Sequence, residues 1–195
     1  MDREEAAGTL ELLRKVVSQA RDDTAAENWG VIWMLNGVSN GGGFIGTHLL
    51  LRTGHLTPWP YVGMWAGILA FNAGTIALFR VKNASSGSFL EKQIWSIWTV
   101  FVVGMMLTAI VNYLLGLSLL FMPAVACILA ATAFATMGAM MGTWWYLPAA
   151  AWASMAIVMA LLPELQFALF GGLWAVSQST GGALLERARR RKLTR

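Results

Sequence analysis

Six stretches of this chain run without a single Asp, Glu, Lys or Arg: 29–51, 59–79, 94–115, 117–138, 141–162 and 165–185. A helix needs about 20 largely apolar residues to cross a bilayer. A charged side chain at the bilayer centre costs several kcal/mol unless it is paired or hydrated. The 14 basic and 10 acidic residues all fall outside the six stretches. The composition agrees, with 57% hydrophobic and 12% charged residues, against about 45–50% and about 25% in an ordinary soluble domain. These features predict an all-α polytopic membrane protein. It would have six transmembrane helices over 29–185, a cytoplasmic amphipathic helix over 1–28 and a basic cytoplasmic tail over 186–195.

Loop charge sets the expected orientation, because Lys and Arg accumulate on the cytoplasmic side. With the amino terminus inside, thirteen of the fourteen bases lie on inner segments, and Arg52 alone lies outside. Both termini are therefore expected in the cytoplasm. The amino terminus is acidic and hydrophilic, so a cleaved secretory signal is not expected. Most connections are short, which predicts that sequence neighbours pack as antiparallel hairpins. Trp29 and Trp33, Trp95 and Trp98, and Trp144 and Trp145 open alternate helices on the inner side. That is the position of an interfacial aromatic belt.

In the amino-terminal segment, Leu10, Leu13 and Val17 continue a seam that starts at Ala6, in steps of four and three. That spacing suits a helix partner. A helix this short is marginal alone in water, so a protein partner or self-association is expected. The carboxy-terminal segment, with six bases against one acid, complements the seven acids and four bases of the first segment. It would also anchor at anionic lipid. The net charge of +4 comes without a nucleic-acid recognition motif, and nucleic acid is not expected as a partner.

The first span carries an unusual insert, NGVSNGGGFIGTH, from Asn36 to His48. An amide turned to lipid leaves its donors and acceptors unmade, so these residues must face other helices or water. At about 1.5 Å rise per residue, Asn40 falls near the midplane and Asn36 about 6 Å nearer the cytoplasm. Asn72 and Gln178 lie at similar depth. Two polar layers follow: an inner one of Asn36, Asn40, Asn72 and Gln178, and an outer one of His48, Asn112 and Tyr113. The inner amides serve either as interhelical glue or as the lining of a ligand or solute site. Gly37 with Gly41, and Gly42 with Gly46, have the spacing for close helix approach. The run Gly41–Gly43 would also allow the helix to break, as in transporters.

The chemistry of an enzyme is missing. Ser39 and His48, nine residues apart on one helix, are separated by about 13 Å, too far for proton transfer. No intramembrane acid serves a proton-driven pump. His48 and His55, the only histidines, fall at different depths and do not suit haem. The lone Cys127 makes no disulfide and belongs to no zinc pattern. No catalytic residue, metal or other cofactor is expected.

The segments Asn28-Trp-Gly-Val-Ile-Trp-Met-Leu35, Gly46-Thr-His48 and Gly142-Thr-Trp-Trp-Tyr-Leu147 resemble a group of small bacterial membrane proteins, some encoded beside winged-helix regulators. The resemblance implies a bacterial inner-membrane location and a regulatory or stress-linked role, and it brings no catalytic chemistry. The expected function is a non-enzymatic membrane component: a sensor, scaffold or complex subunit. A small-solute transporter or channel lined by the inner amides is the alternative.

Overall fold

The computed structural model describes residues 8, 11, 12, 28–55, 57–79, 89–118 and 120–193. Among the described residues six α-helices can be bounded: α1 (Trp29–Arg52), α2 (Trp59–Phe79), α3 (Phe89–Leu114), α4 (Phe121–Met141), α5 (Tyr146–Leu161) and α6 (Gln166–Leu193). Short 3-10 turns, Thr143–Trp145 and Pro163–Leu165, precede α5 and α6. No strand occurs among the described residues. Four helices are long and apolar enough to cross a membrane: α2, residues 93–114 of α3, residues 121–140 of α4, and α5 with its leading turn. The remaining two of the six expected spans, α1 and α6, are long and charge-free over 29–51 and 166–185. Their Asn, Gln, Ser, Thr and Gly content lowers their apolarity. Of the expected amino-terminal helix, Gly8, Glu11 and Leu12 are helical and exposed. Leu10, Leu13 and Val17 lie outside the described residues.

Two helix ends are set by glycine. Gly54 (φ 74°) and Gly116 (φ 63°) adopt the left-handed conformation that stops α1 and α3. His55 N–H reaches Leu50 O at 3.1 Å and Gly54 N–H reaches Leu51 O at 3.2 Å; Leu117 N–H and Gly116 N–H repeat the pattern onto Asn112 O and Tyr113 O. Both ends are Schellman motifs, which satisfy the last carbonyls of a helix. The second one moves the start of α4 to Phe121, four residues beyond the expected 117. At its other end α6 runs on through 186–193, so the described part of the basic tail is helical. Glu186 accepts a hydrogen bond from Arg190 Nε at 3.0 Å on that extension.

The principal packing pair is α1 with α6, the first and last of the six, not a hairpin of sequence neighbours. The reason is steric. A Cβ on Gly41 would lie 2.7 Å from Gly171 O, and one on Gly171 would lie 2.5 Å from Gly41 O. Gly30 and Gly182 meet in the same way, each against the other's carbonyl, and Gly37 faces Gln178 Cβ. Residue numbers rise on one helix as they fall on the other, so the pair is antiparallel. Lipid gives helices no hydrophobic reason to associate, and close backbone approach supplies dispersion contact instead. The triple glycine therefore does not break the helix: α1 is continuous from Trp29 to Arg52. Gly42, expected to pair with Gly46, faces open space, whereas Gly46 meets Met64 of α2.

Hairpin packing holds for α1 with α2, α3 with α4, and α4 with α5. Where the halves meet lies an aromatic core. Trp33 (6% exposed) and Trp145 (2%) are buried with ring centroids 5.6 Å apart, and Trp98 lies 6.1 Å from Trp33. These three tryptophans thus pack inside the bundle, which corrects their assignment to an interfacial belt. Only Trp144 of the inner set is largely exposed. The core continues through Phe134, Trp152, Trp174 and Phe170 in mixed edge-to-face and stacked contacts. Such pairs add about 0.5–1.5 kcal/mol each beyond burial. Cys127 is fully buried on α4, its Sγ 3.4 Å from Met159 Sδ of α5.

The glycine geometry separates two neighbouring substitutions. Gly41→Ala should destabilise the bundle by about 1–3 kcal/mol through overpacking. Gly42→Ala should be neutral or stabilising by up to about 1 kcal/mol through helix propensity. Unfolding midpoints in a mixed-detergent titration measure both.

Candidate functional site

Polar side chains of α1 and α2 meet along one seam. Residues 36, 40, 43 and 47 of α1 are a helical row, and they face 75, 72, 68 and 65 of α2. Asn72 Nδ2 donates to Asn40 Oδ1 at 2.9 Å. Ser39 Oγ donates to Asn72 Oδ1 at 2.6 Å. Thr75 Oγ1 lies 3.4 Å from Asn36 Oδ1 and 2.8 Å from the Asn72 carbonyl. Beyond Gly43, whose Cβ would meet Ile68, Trp65 Nε1 donates to Thr47 Oγ1 at 3.2 Å, and Thr47 donates in turn to Gly43 O at 2.9 Å. Three of the four inner-layer amides are thus joined, with Ser39 and Thr75 as partners that the amide pattern alone did not bring in. Gln178 is not among them. It is buried on α6 against Gly37, about a quarter of a turn around α1 from the Asn36–Asn40 row.

The outer layer also divides. His48 is buried at 8% exposure and Asn112 at 4%, but Tyr113 is 84% exposed. Asn112 Nδ2 donates to Leu117 O at 3.3 Å, closing the end of its own helix. Its Oδ1 is buried without a partner. Between the hairpin α1–α2 and helices α3 and α4 lies a cleft of about 970 Å³. Phe44, Thr47 and Leu51 of α1, with Phe167 and Met122, form its floor. One wall is Tyr61, Val62 and Trp65 of α2, and the other is Met105, Ala109, Asn112 and Tyr113 of α3. His55 and Pro58 close the outer end beside Gly116 and Leu117. The loop there is fixed by Tyr61 Oη donating to His55 O at 2.9 Å, and Thr53 Oγ1 lies 2.9 Å from His55 Nδ1. None of Asn36, Asn40, Asn72 or Gln178 lines the cleft.

Sequence reasoning placed Asn112 and Tyr113 near this region but missed Tyr61, Trp65 and Met105. The signal available was the pair of outer glycines, Gly54 and Gly116, which bring two helix ends to one level. Four buried indole nitrogens, those of Trp95, Trp98, Trp152 and Trp174, have no hydrogen-bond partner. Edge-to-face ring packing is the compensation open to them. No group of three or more potential metal-ligating side chains occurs among the described residues. Ser39 Oγ engages Asn72 and the Asn36 carbonyl, so it is spent on structure.

No protein family, curated protein or solved structure matches the chain.

The amide seam predicts a measurable coupling. In a double-mutant cycle of Asn40→Ala and Asn72→Ala, the interaction energy should fall at about 0.6–1.7 kcal/mol, the range of intramembrane hydrogen bonds. Both single variants should lower the unfolding midpoint, as helix glue requires.

Proposed function

We propose that this chain is a non-enzymatic integral membrane component that crosses the bilayer six times with both ends in the cytoplasm. It works by binding, as a sensor, scaffold or complex subunit. One observation carries the reading: the seam between α1 and α2 is bonded along its length, Asn72 to Asn40, Ser39 to Asn72 and Thr75 to Asn36, as interhelical glue would be. The Oδ1 atoms of Asn36, Asn40 and Asn72 are engaged within the seam, and none of these residues lines the cleft. The outer cleft, apolar over most of its lining, is the better candidate for ligand contact. The six-span topology draws support from α1 and α6, which turn Gly30, Gly37 and Gly41 toward Gly171, Gln178 and Gly182 and so keep part of their polar content away from lipid. The bias of bases toward the inner segments supports the orientation.

The segment 1–28, with its seam at Leu10, Leu13 and Val17, is the proposed contact for a protein partner or a second copy. The resemblance to small bacterial membrane proteins near winged-helix regulators favours an inner-membrane, regulatory role.

The test joins topology to transport. Reporter fusions at either end should both report cytoplasm, and purified protein in liposomes should move neither ions nor small neutral solutes. Ends on opposite faces would overturn the six-span reading, and a reproducible flux abolished by Asn72→Leu would restore a transporter. Deleting 2–27 should leave the unfolding midpoint unchanged and reduce the particle mass or its crosslinked species.

A further inference from the structure

We propose that the outer cleft is a lipid site, which holds one acyl chain of an outer-leaflet phospholipid between α2 and α3. The proposal deepens the binding reading above and takes from it only the orientation that makes this end the outer one.

Four observations converge on this occupant. The first is length. The cleft runs from Phe44 to His55 along one side and from Met105 to Gly116 along the other. The helical parts of those runs, 44–52 and 105–114, rise about 12–14 Å, and one leaflet of a bilayer core of about 30 Å is about 15 Å deep. The second is polarity along that length. The deep end is Phe44, Trp65, Met105 and Phe167, all apolar or aromatic. The shallow end carries His55, Tyr61 and Asn112, each with a polar group. That is the gradient of an amphiphile whose head lies at the interface. The third is access. Val62 and Tyr113, on opposite lips, are 53% and 84% exposed. Residues of α2 and α3 further from the cleft, such as Leu69 and Val100, are exposed as well. The opening therefore faces the direction from which lipid comes.

The fourth is the exclusion of water from a cleft of about 970 Å³. Water is a poor filling for a lining this apolar, and Arg52, the residue after Leu51, offers a cation near the phosphate level.

Photocrosslinking in nanodiscs tests the site with the full-length protein. Two probes are used, a phosphatidylcholine with a diazirine at the end of one acyl chain and one with the diazirine next to the carbonyl. The chain-end probe should label Phe44, Trp65 or Met105 several-fold above Leu69 and Leu78, which are exposed positions of α2 away from the cleft. The carbonyl probe should label 55–62 or 112–117. Ala109→Trp on one wall, or Val62→Trp on the other, should bring cleft labelling down to the level of Leu69 and leave labelling at Leu69 itself unchanged. Wild-type labelling no higher in the cleft than at Leu69 and Leu78 would overturn the proposal without any variant. Labelling in both filled variants equal to wild type would overturn it too, as would crosslinks from the cleft to a second protein chain. Probe confined to one leaflet of sealed vesicles separates the two readings. If the reporters place the termini outside and cleft labelling persists only from the leaflet facing the cytoplasm, the orientation fails and the lipid site stands.

Discussion

The contact of glycine with glycine between α1 and α6 governs the rest of the bundle. At Gly41 and Gly171 the two backbones come so near that a methyl group on either would meet the other's carbonyl. Such proximity needs small residues at matched heights on both helices, and it fixes their rotation as well as their separation. Once the glycine face of α1 is committed to α6, its other faces are assigned. The Asn36–Thr47 row must point to α2, where it finds Asn72, Thr75 and Trp65. Trp29 and Trp33 must point to α3 and the turn before α5, where they find Trp95, Trp98 and Trp145. Three kinds of attraction thus act on one helix: backbone dispersion, hydrogen bonding and ring packing.

This division explains the cleft. Helix α2 follows α1 through its polar seam, and α3 follows α4 through apolar contact and reaches α6 through Trp98 and Phe101 on Trp174. Large rings fill the space between the halves at the Trp33 end. Toward His55 and Gly116, the small Thr47 and Ala109 stand among the rings that line the cleft and leave room. The Schellman ends of α1 and α3 hold the rim of that space in a fixed shape. The site is therefore a by-product of small side chains set among large rings, bounded by two well-capped helix ends.

Much of the architecture was legible because charge avoidance in lipid is a strong constraint on sequence. The bounds 59–79 for α2 agree with the structure, and those for α1 differ by one residue. The pairing of Asn40 with Asn72 was foreshadowed by depth, since rise per residue converts sequence number into height. Rotation was not legible. Depth alone grouped Gln178 with the asparagines, although it meets the glycine face of α1. It also grouped Tyr113 with His48 and Asn112, although Tyr113 turns outward. Trp33 and Trp145 carried the signature of an interface, because composition at a helix end does not reveal which side of the helix faces protein. The α1–α6 partnership was out of reach for a related reason. Gly171, Gly182 and Ala175 identify a small-residue face but not its partner, and hairpin logic looks first to the neighbour in sequence.

The length of α6 has a mechanical meaning. Its 28 residues make an unbroken rod of about 42 Å, longer than the hydrocarbon core is thick. One end bears Arg187, Arg190 and Arg191 on a helical extension, and the other places Phe167 under the cleft. Gly30 on Gly182 and Gly41 on Gly171 clamp this rod to α1 at two heights. The floor of the cleft and the basic end are in this way parts of one stiff piece.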